Sequence, residues 1–162
     1  MIPVEQRIVH REDGNGNVLD AGDCFKASVA SVLGLPWEDV PHFVGDYHDQ
    51  EPGVWVEKFN EWARERGWWV LSYALDDETM EDGYWVHPGY WIASVISPRN
   101  KPTDADPEGT HAVVMRGGEL AWDPHPGPFK GEHRGFKAAY IFAPLDPSTT
   151  YSVERSEIRT AA

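Results

Sequence analysis

The sequence predicts an α+β domain in which one cysteine-bearing helix near the N-terminus packs on an antiparallel β-sheet. Three observations carry this reading. Between Asp23 and Gly34 the apolar residues Phe25, Val29, Val32 and Leu33 recur at helical spacing, and Gly34 with Pro36 closes the segment. In the second half Tyr90–Ile96, His111–Met115, Leu120–Asp123 and Phe136–Phe142 read as strands, with a tight Gly117-Gly118 turn joining the middle pair. At 162 residues the chain suits one domain with a core of its own. Residues 1–147 are expected to form that domain, and residues 148–162 a polar, disordered tail.

In chain order, residues 2–9 are expected to form a short strand, and the turn residues Asp13–Asn17 to close a small hairpin before the helix. Leu35–Pro41 suggests one helical turn between prolines, and His42, His48, Asp46 and Asp49 read as solvated surface. From Val54 to Arg66 the stripe Trp55, Phe59, Trp62 and Ala63 opposes Glu57, Lys58, Glu61, Arg64 and Glu65, the pattern of an amphipathic helix ended by Gly67. The aromatic and branched run Trp68–Leu75 is a strand, and Asp76–Gly83 an acidic loop. Tyr90–Ile96 is nearly all apolar, as a strand buried on both faces would be. Pro98–Gly109 is long enough for a flap or cleft rim.

Composition narrows the function. Hydrophobic residues are 41% of the chain, while 15 Gly and 13 Pro imply many turns. Lys plus Arg number 14 against 27 Asp plus Glu, a net charge of −13, so the surrounding field repels phosphate backbones and anionic membranes. No nucleic-acid or membrane partner is expected, and a cationic substrate is slightly favoured. A single cysteine forms no internal disulfide, which fits a reducing compartment. Met1–Gln6 has neither the basic head nor the apolar run of a signal peptide, and no segment is long enough to span a bilayer, so the expected location is cytoplasmic. Eight Trp suit a core and also a cleft that grips an apolar or extended ligand.

Cys24 falls in the first turn of its helix, with Asp23 as the expected N-cap. Free N–H groups and the positive end of the helix dipole favour an anion there, so the thiol is expected to ionise readily; a small buried hydrophobe is the plainer alternative. Counting outward from Gly117-Gly118 sets Met115 opposite Leu120 or a neighbour, which brings His111 and Asp123 to the open end of one hairpin. Thiol, imidazole and carboxylate in this order are what nucleophilic catalysis by sulfur requires. Asp123 is a better third member than Asp104 or Asp106, because the sheet holds it and Pro124 restricts its backbone. His111, Asp123, His125 and His133 offer metal-binding atoms, but their spacing matches no familiar zinc motif, and neither metal nor cofactor is expected.

The motifs Gly22-Asp23-Cys24, His111-Ala112-Val113-Val114 and Trp122-Asp123-Pro124 resemble those of papain-like cysteine peptidases, with the C39-like branch the closest match. The chain is also similar to small uncharacterised bacterial and phage proteins that carry a Cys helix, a Trp-Ile-Ala-Ser-Val strand (Trp91–Val95) and an Asp-Pro-His-Pro end (Asp123–Pro126). The similarity runs from about Gln6 to Pro147. It implies a papain-like fold and a Cys24-His111-Asp123 triad that cleaves or transfers an amide, peptide or isopeptide bond, with a peptide or amide-containing partner. The alternative is an inactive papain-like fold used as a peptide or protein binding module. The family usually carries a Gln a few residues before the Cys to help bind the oxyanion, but the sixth residue before Cys24 is Val18. Gln6 is the only upstream Gln, and two readings stay open: return to the site over the Asp13–Asn17 turn, beside the Cys24 N–H as second donor, or exposure on an edge strand. The substrate cleft is expected to be walled by Trp91, Trp122 and His125, with the Pro98–Gly109 loop as its rim.

Overall fold

The structure is a computed structural model that describes residues 1–13, 18–47, 50, 51, 53–81, 87–97, 109–127, 133–146 and 148. Strands β1 (Arg11–Glu12) and β2 (Val18–Asp20) form a small hairpin, and α1 (Cys24–Leu33), a single 3-10 turn (Trp37–Asp39), α2 (Phe43–Asp46) and α3 (Val54–Glu65) follow. Next come β3 (Trp68–Ala74), α4 (Asp77–Glu81), β4 (Tyr90–Ile96), β5 (Thr110–Arg116), β6 (Glu119–Trp122) and β7 (Phe136–Pro144). The main sheet has the order β3-β7-β4-β5-β6, with every pairing antiparallel. The chain is thus α+β, with the cysteine helix lying on β5 and β4.

Strand β4 is unbroken in its apolar character because it is covered on both faces. Ile92 joins Ala112 and Tyr140 under the helices, while Trp91, Ala93 and Val95 pack with Val113, Met115 and Ala139 on the other side. On the helix side Phe25 of α1 meets Trp55, Phe59 and Tyr140 edge-on, with ring centroids 5.0–5.1 Å apart. Each such pair adds about 0.5–1.5 kcal/mol beyond the area buried, so the cluster clamps α1 to the sheet at the turn that carries Cys24. Ser28 Oγ donates to the Ala112 carbonyl at 3.3 Å and fixes where α1 sits along β5. Gly34 ends the helix at φ 67°, a left-handed conformation that glycine adopts without steric penalty, with its N–H on the Ala30 carbonyl.

Several expectations are corrected. Residues 2–9 are not a strand. Their backbone groups go singly to other elements: Ile2 N–H to the Ser31 carbonyl, Val4 N–H to Ser31 Oγ, and Gln6 N–H to the Pro124 carbonyl. The hairpin before α1 is real but is built from Arg11–Glu12 and Val18–Asp20. The acidic stretch after β3 holds helix α4, whose Asp77 accepts from the Phe136 N–H and ties it to β7. His42 is no free surface histidine: it caps α2 by accepting from Gly45 N–H, and its Nε2 lies 2.9 Å from the Ala21 carbonyl. His48, Asp49, most of the Pro98–Gly109 loop with Asp104 and Asp106, and residues 149–162 lie outside the described residues.

Candidate active site

Three elements meet at the thiol. Cys24 opens α1 and is partly exposed; the Ala112 N–H of β5 points at its Sγ from 3.5 Å. His111 stands one residue earlier on β5, opposite Val95 of β4. Asp123 follows directly on β6. His111 and Asp123 are 5% and 3% exposed, and Nε2 of the ring lies 2.7 Å from Asp123 Oδ1. An ionised carboxylate only accepts, so Nε2 carries the hydrogen, and Nδ1 is the nitrogen left to serve Cys24.

The β5–β6 hairpin is bulged just before the carboxylate. In a regular hairpin with Met115 opposite Leu120, Asp123 would stand across from Ala112, whose side chain enters the helix-side core. Instead the register shifts so that Trp122 faces Val114, with Ala121 as the extra residue. Asp123 follows at the end of β6, where its carboxylate reaches the His111 ring. Asp123 is also pinned by the His125 N–H, 2.9 Å from Oδ1.

Electrostatics couples the pair. Burial pushes the Cys24 thiol up, but the His111 charge, its hydrogen bond to the sulfur and the Ala112 N–H outweigh burial, and the thiol ends below its ordinary range; Asp23 opposes them. Burial likewise disfavours the imidazolium, yet the Cys24 thiolate and Asp123 raise His111 to about 9. Each charge therefore favours the other, as a thiolate–imidazolium pair. No family model, curated protein or solved structure matches the chain, so what the site can do rests on its own geometry.

The remaining candidates divide. Gln6 is buried, neither exposed nor on a strand, with its N–H on Pro124 next to Asp123 and its Nε2 on the Ile8 carbonyl at 3.1 Å. The ring of His125 stands edge-on to His111, with centroids 6.2 Å apart, and its Nδ1 accepts from Gly127 N–H. Trp122 donates to the Val4 carbonyl at 3.0 Å and so holds the N-terminal segment beside the site. Trp91 belongs to no cleft: it is fully buried on the sheet face away from α1, with its indole N–H on the Gly117 carbonyl. Strand alternation sends Trp91 to the face opposite Ile92, and no local sequence signal says which of those faces meets the helices. Among the described residues no group of three or more His, Cys, Asp or Glu could hold a metal ion; His133 instead packs its ring on Phe136.

Asp23 is the residue that sequence reasoning misplaced. It makes no side-chain cap on α1. Its carboxylate accepts instead from the N–H groups of Arg7 and Ile8 and from the Trp37 indole, all outside the helix. Trp37 in turn lies under the Lys26 ammonium at 3.4 Å and the Arg7 guanidinium at 4.3 Å. The only hint in the sequence was the pairing of an acid with a nearby Trp, which local patterns cannot distinguish from a cap.

Proposed function

We propose that this protein is a papain-like thiol hydrolase or acyltransferase acting on an amide, peptide or isopeptide bond through Cys24, His111 and Asp123. The observation that carries the reading is one buried imidazole bonded to a carboxylate at 2.7 Å and coupled to a thiol held below its ordinary pKa. The papain-like assignment is supported by a nucleophile in the first turn of a helix laid on an antiparallel sheet, with base and carboxylate on neighbouring strands of that sheet.

In this mechanism the Cys24 thiolate attacks the carbonyl carbon, the C–S bond forms, and the carbonyl electron pair moves onto oxygen. The Cys24 N–H and the Gln6 amide meet that oxyanion. On collapse the C–N bond breaks and His111 gives its Nδ1 proton to the departing nitrogen, leaving a thioester. Water or an acceptor amine then attacks, loses its proton to His111, and releases the thiolate. Asp123 fixes the tautomer throughout and stabilises the imidazolium. The net charge of −13 favours cationic substrates.

Iodoacetamide tests the reading without a known substrate. Cys24 in the folded protein should be alkylated at pH 6 faster than in the denaturant-unfolded chain, since a lowered thiol pKa raises the thiolate fraction there. Equal rates would sink the catalytic reading in favour of a binding module with an inert thiol.

A further inference from the structure

The Asp23 carboxylate is fully buried one residue before the nucleophile, where its charge opposes ionisation of Cys24. A group that works against the thiolate calls for another use, and its hydrogen bonds identify one. Both oxygens accept from Arg7 N–H, at 3.1 and 3.2 Å; Oδ1 also accepts from Ile8 N–H at 2.9 Å and Oδ2 from the Trp37 indole at 2.7 Å. The Asp23 N–H returns a bond to the Ile8 carbonyl at 3.0 Å. Gln6 is thus tied to the residue before the nucleophile through its neighbours, and to the residue after Asp123 through its own N–H. Gly22 permits this approach, since a Cβ there would lie 3.1 Å from the His10 backbone nitrogen. The Gln6 side chain is buried; Nε2 gives one of its two hydrogens to the Ile8 carbonyl, which leaves the other to donate to a ligand, whereas the unpartnered Oε1 only accepts.

We propose that Asp23 is a positioning residue, a latch whose buried carboxylate pins residues 6–8 beside the thiol and so holds the Gln6 amide at the reacting carbonyl. This rests on the reading of Cys24 as a nucleophile. A carboxylate accepts on every lone pair, whereas an amide at the same place would turn a donor toward the N–H groups of Arg7, Ile8 or Trp37. Asp23→Asn therefore removes a negative charge beside sulfur and loosens Gln6 at the same time.

These two consequences have opposite signs, and two probes separate them. Iodoacetamide reads thiolate alone. p-Nitrophenyl acetate reads acylation: sulfur bonds to the acetyl carbon, an oxyanion forms, and the C–O bond breaks to release p-nitrophenolate. Asp23→Asn should be alkylated at pH 6 faster than wild type, yet give a p-nitrophenolate burst about 10- to 100-fold slower, the scale of losing one oxyanion donor. Gln6→Ala should slow the burst similarly with alkylation unchanged, and the double variant should be no slower than Gln6→Ala, because both act through one group. If Asp23→Asn loses its circular dichroism signal, Trp37→Phe takes a single donor from the carboxylate and keeps its charge; it should slow the burst and leave alkylation alone. Rates that move in parallel in the variant that folds, or losses that add in the double variant, would overturn the latch. A wild-type burst no faster than that of Cys24→Ala would instead overturn the catalytic reading, and the latch with it.

Discussion

The His111 ring lies between a carboxylate that needs a donor and a thiol that needs an acceptor, and this sets the pH behaviour expected of the site. His111 is raised to about 9, so the imidazolium persists through neutrality and is lost as pH rises through that value. Cys24 is lowered, so its thiolate survives as pH falls below the ordinary thiol range. Alkylation, which needs only thiolate, should therefore hold its rate above pH 9, whereas cleavage of an amide should decline there as His111 loses the proton the leaving nitrogen requires. Asp123→Asn should keep the fold but weaken the imidazolium and raise the apparent thiol pKa. Alkylation at pH 6 should then slow, by about tenfold if that pKa rises by one. An unchanged alkylation profile would remove Asp123 from the site.

Among the elements, the β5–β6 hairpin does the aiming. Its strands were legible from the Gly117-Gly118 turn and the apolar runs beside it, and Met115 does face Leu120. The bulge was not legible, because Ala121 is as suitable in a regular strand as at the extra position. Deleting Ala121 should restore the regular register and move the Asp123 carboxylate off the His111 ring. The thiol pKa should then rise as in Asp123→Asn while circular dichroism stays near that of wild type; a variant with wild-type alkylation would show that the bulge is dispensable. The N-terminal segment teaches the complementary lesson. Gln6 had two open readings; the exposed edge strand is excluded, since the residue is buried and on no strand, while its neighbours Arg7 and Ile8 do return beside Asp23 across the β1–β2 hairpin.

For the whole molecule the deciding quantity is charge. A net −13 should draw cations toward the thiol, while Arg7 and Lys26 beside Trp37 oppose this locally. Two methanethiosulfonate reagents, one bearing trimethylammonium and one sulfonate, transfer their thiol group to Cys24 and release methanesulfinate. Their rate ratio, cation over anion, should exceed that in the unfolded chain and fall toward it at about 1 M salt, where screening acts within roughly 3 Å. A ratio below that of the unfolded chain would mean that the two local cations set the field, and would overturn the preference for a cationic substrate. Among the described residues no helix is long and apolar enough to cross a membrane.

Local patterns in the chain were enough for the α+β class, the limits of α1 and β4, the burial of β4 on both faces, and the identity of the thiol, imidazole and carboxylate. These are written in periodicity, turn residues and residue type, which act over a few positions. What those residues face came from long-range contacts. Asp23 turned from its helix because the N–H groups of Arg7, Ile8 and the Trp37 indole needed an acceptor, Trp91 fell on the sheet face away from α1, and the fold brought Asp123 onto the His111 ring. Each depends on partners distant in sequence, and their competition for a single buried hydrogen bond or face leaves no mark in any local pattern.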